Sequence, residues 1–225
     1  MVIVNEKLPP EARLRLEKLT GKVIPLTACA KLPQALAAHP DMLIHASPEG
    51  LVCAPDALDR LLAAGAPVRA GESDPGAKYP DDVRYNCFAL NGCLICNIAH
   101  TDGAILSYYR ERGARIIDCK QGYCSCSALR LPGGVVTADK NVAAACEKAG
   151  ADVLRITPGN ITLDGYDYGF IGGCGGMAGG KLALFGDPLT HPDGERVLAF
   201  AAAHGVEVAP LCDGVLTDYG GMIEA

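Results

Sequence analysis

Apolar residues along this chain alternate between two periods. Five segments place them at i, i+3 and i+4, and each stops just short of a glycine suited to the left-handed residue that closes a helix. These are PPEARLRLEKLTG to Gly21, PDALDRLLAAG to Gly65, DGAILSYYRERG to Gly113, DKNVAAACEKAG to Gly150 and HPDGERVLAFAAAHG to Gly205. A short aliphatic or β-branched run follows each at once (KVIPL, APVRA, ARIID, ADVLRI, VEVAPL), which predicts five helix-then-strand units. Ahead of the last four helices lies a two-strand pattern with a turn in its middle: DMLIHASPEGLVCAPD, YNCFALNGCLICN, SALRLPGGVVTAD and FIGGCGGMAGGKLALFGD. The turn pairs read as Glu49-Gly50, Asn91-Gly92, Gly133-Gly134 and Gly179-Gly180, so their second glycines recur at intervals of 42, 42 and 46 residues. The repeat is strand, strand, helix, strand.

The first unit has only MVIVN before its helix, while TDYGGMIEA is left over after the fifth. Pairing these two segments supplies the missing hairpin and leaves no module with an open edge. The pattern therefore predicts an α/β fold in one domain over residues 1–225. Its five ββαβ modules form a pseudo-fivefold propeller, closed by pairing of the N- and C-terminal strands.

Composition narrows the function classes. Of 225 residues 49% are apolar, yet no run reaches the roughly 18 apolar residues of a membrane span, and no basic segment leads a long apolar one at the N-terminus. The chain reads as soluble and cytoplasmic, and its eleven cysteines read as thiols, ligands or nucleophiles rather than as a disulfide framework. A net charge of −6, no Lys/Arg cluster, no Trp and 5% aromatics give neither the basic footprint nor the stacking platforms of nucleic-acid binders. The segment GCGGMA satisfies G-x-G-x-x-A, but it leads into the strand KLALFG and not a helix, so no nucleotide cofactor is expected. A small-molecule ligand remains the expected partner, with self-association left open.

LDGYDYG at 163–169 is similar to the L-D-G-G-D-V-L stretch of the pentein, or guanidino-group-modifying, superfamily. YPDDVRYNCFALNGCLI at 79–95 is similar to its P-D-x-x-F-V-x-D strand and following hairpin. The whole chain resembles a family of uncharacterised bacterial proteins of that fold, with KYP, KQGY, DYGFIGG and a late DG as landmarks. The resemblance implies five ββαβ modules around a funnel, in which a thiolate attacks a guanidino carbon with help from a histidine and carboxylates. Position by position, that chemistry does not transfer. The nucleophile of the G-G-x-I-x-C pattern falls on Ala225, the guanidinium-holding aspartate on Asn86, and the His-Leu signature on Leu211-Cys212-Asp213.

The candidate residues carry two readings each. Cys174, inside GGCGG, reads as a relocated nucleophile at the start of a bare inner strand or as a small apolar filler. Cys126 shares a strand face with Cys124, where Lys120 or Tyr123 could stabilise a thiolate or bind a carboxylate; the same cysteines, with Cys119, Cys93 and Cys96, make an alternative metal or redox cluster. His100 and Asp102 read as an acid/base pair at the funnel mouth. Against that, Asp56, Asp102, Asp139 and Asp187 share one place in their modules, which favours helix capping. Asp164, Asp167, Asp213 and Asp218 read as rim carboxylates or as turn residues. The leading expectation is a protein binding a small polar, guanidino- or amino-acid-like ligand in an axial funnel. The alternatives are a thiol-dependent hydrolase or transferase acting on guanidino C–N bonds, and a cysteine-cluster metal or redox protein.

Overall fold

The five repeats appear as five separate three-stranded sheets in the computed structural model, which describes residues 1–225. The first helix-then-strand unit is β1 (Val2–Asn5), α1 (Pro10–Thr20) and β2 (Val23–Leu26). The second module is α2 (Pro40–Leu43), β3 (Ile44–Ser47), β4 (Gly50–Cys53), α3 (Pro55–Ala63) and β5 (Val68–Ala70). The third runs β6 (Phe88–Leu90), β7 (Cys93–Cys96), α4 (Gly103–Glu111) and β8 (Arg115–Asp118), and the fourth β9 (Leu129–Leu131), β10 (Gly134–Thr137), α5 (Lys140–Lys148) and β11 (Asp152–Arg155). The fifth is β12 (Gly175–Ala178), β13 (Lys181–Leu184), α6 (Gly194–Ala203) and β14 (Val208–Pro210), and the chain ends in β15 (Ile223–Glu224).

In every sheet a central strand runs antiparallel to one neighbour and parallel to the other. For the first sheet the antiparallel neighbour is β15, through Val2↔Glu224 and Ile3↔Ile223. The central strands are buried on both faces, which is why they read as unbroken apolar runs. The connecting helix of each module lies over its sheet, burying Leu16, Leu61, Ile105, Val142 and Val197 in turn. Each such side chain stabilises the fold by about 1.5–3 kcal/mol. No helix is long and apolar enough to cross a membrane.

Several local expectations need correction. Asp102 and Asp139 do cap α4 and α5, accepting from Ala104 N at 3.0 Å and Asn141 N at 2.7 Å. Asp56, however, lies inside α3, whose first position is taken by Pro55, and Asp187 caps a 3-10 turn at Pro188–Thr190 rather than α6. Two hairpin turns sit one residue earlier than read: Ser47 pairs with Gly50 around Pro48-Glu49, and Leu131 pairs with Gly134 around Pro132-Gly133. The stretch Gly172–Gly176 is not one bare strand. Ile171–Cys174 forms a 3-10 turn, and only from Gly175 does the chain become β12. Likewise 120–127 is a series of turns before β9, so Cys124 and Cys126 share no strand face.

Candidate ligand-binding site

The five segments that precede the first strand of each sheet meet in one place. Asp41 N donates to Gly220 O (3.3 Å), and Asn86 Nδ2 donates to the Asp41 carbonyl (3.1 Å). Asn86 Oδ1 accepts from Ser125 N (2.8 Å) and Cys126 N (3.2 Å). Gly172 lies so close to the Ser125 and Cys126 carbonyls that a Cβ would collide with them. Gly173 O then accepts from Tyr219 N (3.0 Å) and Gly221 N (2.9 Å), which returns to the segment holding Gly220. The glycines at 169, 173 and 220 make room for side chains: a Cβ at 169 or 173 would overlap Asp218, and one at 220 would overlap His39.

This centre is charged and dry. Asp218 is 3% exposed; its two oxygens accept from Phe170 N (2.8 Å) and Gly220 N (2.9 Å), and His39 Nδ1 stands 3.8 Å from Oδ1. Burial raises the Asp218 pKa, while His39 and the two N–H donors hold it back. Asp41 has weaker support: neither of its oxygens makes a hydrogen bond of ordinary geometry, although the Cys126 thiol and the Arg130 charge work against the rise. Burial, reinforced by the Asp218 charge, pushes its carboxyl up to about 8. The proton of the pair therefore resides on Asp41, a neutral acid at pH 7. Burial keeps His39 neutral as well, its pKa lowered despite Asp218.

Strand register places one further layer beside this plug. Ala46, Ala89, Arg130, Met177 and Glu224 pair with Leu51, Leu94, Val135, Leu182 and Val2. Those central residues pair onward with Val68, Ile116, Val153, Val208 and Val23. The five outer residues are thus equivalent by position, and all five line two adjoining cavities of about 210 and 190 Å³ that share Ala46, Arg130 and Ile223. Where three modules put Ala, Ala and Met, two put a guanidinium and a carboxylate. Arg130 donates to Ser125 Oγ (3.2 Å), lies over the Phe88 ring at 5.0 Å and makes no ion pair. Desolvation lowers its pKa, opposed by the acidic groups around it, Asp41 foremost wherever that carboxyl is ionised. A desolvated guanidinium without a bound anion is suited to take a ligand carboxylate in a bidentate grip.

The residues singled out in the sequence distribute differently. Asn86 is buried and wholly engaged by protein, donating also to Cys126 Sγ (2.9 Å), so it clamps the central segments and lines neither cavity. Asp102 ties α4 to the 72–73 loop through Glu72 N, Ser73 N and Ser73 Oγ, and His100 lies half-buried in the preceding loop. Lys120, Asp164 and Asp213 are exposed, and the Tyr123 hydroxyl donates to Asp82 (2.6 Å). Cys174 is fully buried among Val136, Leu182 and Leu184, its thiol donating to Phe170 O (3.4 Å). No group of three or more His, Cys, Asp or Glu side chains stands in metal-holding geometry. Arg130, Asp41, His39 and Glu224 were not picked out; aligning the five modules by their inner strands is the signal that finds Arg130 and Glu224.

Burial pushes the Cys126 and Cys174 thiols well above their ordinary range, and neighbouring carboxylates add to the effect. Both are thiols at neutral pH, the opposite of an activated nucleophile. Brief iodoacetamide treatment of the native protein at about pH 6.5 should leave both unlabelled in a peptide map. Rapid labelling of either would restore it as a nucleophile.

A model of a family of unknown function, DUF6873, matches residues 3–223. The chain belongs to this family. Among curated proteins none matches in sequence. Among solved structures, DUF6873 in this chain is similar to a histidine-to-glycine variant of dimethylarginine dimethylaminohydrolase, crystallised as its adduct with S-methyl-L-thiocitrulline. The two share 8% identity at a TM-score of 0.53, over 93% of this chain and 91% of that one. At that identity the likeness is one of fold, and it supports a pentein-like fold for this DUF6873 chain.

Proposed function

We propose that this DUF6873 protein binds a small zwitterionic ligand, amino-acid-like or guanidino-bearing, in a central funnel between Arg130 and Glu224. The scaffold is a pseudo-fivefold ring of ββαβ modules closed through its terminal strands, working in a reducing compartment where its eleven free cysteines stay reduced. The observation carrying this reading is Arg130, the only cation among five equivalent positions around the two cavities, facing them without a carboxylate partner. Glu224, in the same layer, suits an ammonium or guanidinium at the other end of the ligand. Binding is favoured over guanidine hydrolysis because the position expected for the nucleophile holds Ala225 and because Cys126 and Cys174 are buried thiols.

The test is thermal stabilisation by L-arginine, L-citrulline and related guanidino and ureido compounds. A true ligand at 100 times its dissociation constant stabilises by about 2.7 kcal/mol. Arg130→Gln should abolish the effect, whereas Glu224→Gln should weaken the cationic members selectively. No stabilisation by any compound, or stabilisation that survives Arg130→Gln, would remove the funnel as the site.

A further inference from the structure

We infer that the funnel ligand is an α-amino acid with a long apolar side chain, and that this side chain lies in a groove between the second and third modules; the inference rests on the binding role proposed above. The groove has a volume of about 420 Å³, against about 210 and 190 Å³ for the two funnel cavities.

Both sides of the groove grow out of the funnel wall. Ile44 and Ala46 of β3 line the funnel, and Pro48 and Glu49, next along the chain, line the groove. Across the gap, Cys87 to Ala89 line the funnel, while Ala89 to Cys93 line the groove. Ala89 belongs to both. β3 and β6 touch, and at the junction they present Ala46 and Ala89, the two smallest of the five equivalent side chains. The passage is thus bordered by two methyl groups, where a larger side chain would fill it.

The order of the inner strands sets the directions in which a ligand can reach. β12 touches β9 and β15, β15 touches β3, and β3 touches β6. Met177 of β12 therefore comes between Arg130 and Glu224, and the gap between Ala46 and Ala89 lies on the far side from Met177. A guanidinium, a carboxylate and an apolar passage face one funnel from three directions. The α-carbon of an amino acid carries three matching groups: a carboxylate for Arg130, an ammonium for Glu224 and a side chain for the passage.

The groove favours an apolar chain because its polar groups are already engaged. Arg112 Nε and Nη2 donate to Glu49 Oε1 and Oε2 (3.0 and 2.6 Å). The Tyr109 hydroxyl bonds His45 Nε2 (3.0 Å), and Asn91 Nδ2 donates to Ala149 O (3.2 Å). A charged or hydrogen-bonding tip would find no partner there. Methylenes would displace water from Leu90, Cys93 and the two tyrosines, 108 and 109, which line the groove.

Calorimetric titrations with L-alanine, L-norleucine and L-2-aminooctanoate test this. Each methylene seated raises affinity about fourfold, so norleucine, with three more than alanine, should bind on the order of 50-fold more tightly, and 2-aminooctanoate more tightly again. Ala89→Leu narrows the passage, and Ala114→Leu fills the groove at a residue outside the funnel lining. Either should cut the advantage of 2-aminooctanoate over alanine by about tenfold or more. Arg130→Gln should abolish binding of all three. Equal affinities for the three, with binding still lost in Arg130→Gln, would overturn the inference and leave the binding role standing. A chain-length advantage undiminished in the groove variants would do the same. Binding by none of the three, or binding that survives Arg130→Gln, would remove both.

Discussion

Asp41→Asn should stabilise the protein, and by an increasing margin as the pH rises from about 5 to about 8. The unfolded carboxyl titrates near 3.8 and the folded one at about 8. Between those values the folded protein keeps a proton that the unfolded chain has shed. The stability linked to this group is therefore fully present below the lower value and is lost as pH climbs towards the upper one, at no more than about 1.4 kcal/mol per pH unit. Asparagine has nearly the same shape and no proton to lose. Urea denaturation at a series of pH values should show the variant pulling ahead by on the order of 3 kcal/mol across this window. Asp218, also raised, and His39, lowered, remain in both proteins, so their own pH dependence largely cancels in the difference. A difference that stays flat with pH would mean that Asp41 is ionised and solvated in the folded state. A residue retained at such a cost is a sign of use, since one amide would relieve it.

Gly173→Ala should be among the most damaging single-methyl additions in the chain. Its Cβ would overlap the Asp218 carboxylate, which cannot retreat without releasing Phe170 N or Gly220 N inside the protein. Overpacking together with a stranded buried charge costs about 3 kcal/mol or more, a fall in Tm on the order of 10 °C at this chain length. The cause can be isolated with a double-mutant cycle. In an Asp218→Ala background, where the space has been vacated, the added methyl should cost less than about 1 kcal/mol. An equal cost in both backgrounds would assign the damage to the backbone and not to the carboxylate.

The sequence discloses the modules far better than it discloses the site. Helices that end at Gly21, Gly65, Gly113, Gly150 and Gly205 need the left-handed conformation that glycine adopts easily, with φ between +62° and +82° at all five. Period and punctuation are local, so they can be read from a single chain. Inward-facing residues depend on register, and register rests on the turn. Placing a turn at Gly133-Gly134 rather than Pro132-Gly133 slips β9 against β10 by two residues and sets Arg130 opposite Thr137 instead of Val135, enough to conceal that Arg130 shares a layer with Glu224. His39 and Asp41 lie in a segment with no period of its own, where Pro40 opens the single turn of α2. The glycines of 163–180 did signal crowding at the centre. The crowding partner is a carboxylate supplied from 218, nearly fifty residues away, and composition alone has no means of naming it.

The equivalence of Ala46, Ala89, Arg130, Met177 and Glu224 makes the lining of the two adjoining cavities a set of five interchangeable sockets on one fixed frame. Each side chain there projects from a strand whose pairing is secured by its own sheet, so chemistry at one socket is decoupled from folding at the others. With two sockets charged and three apolar, DUF6873 sequences have latitude to move, duplicate or invert the charge pattern while keeping the scaffold. Under the proposed binding role, ligand choice would diversify by permutation, with no need to rebuild the pocket.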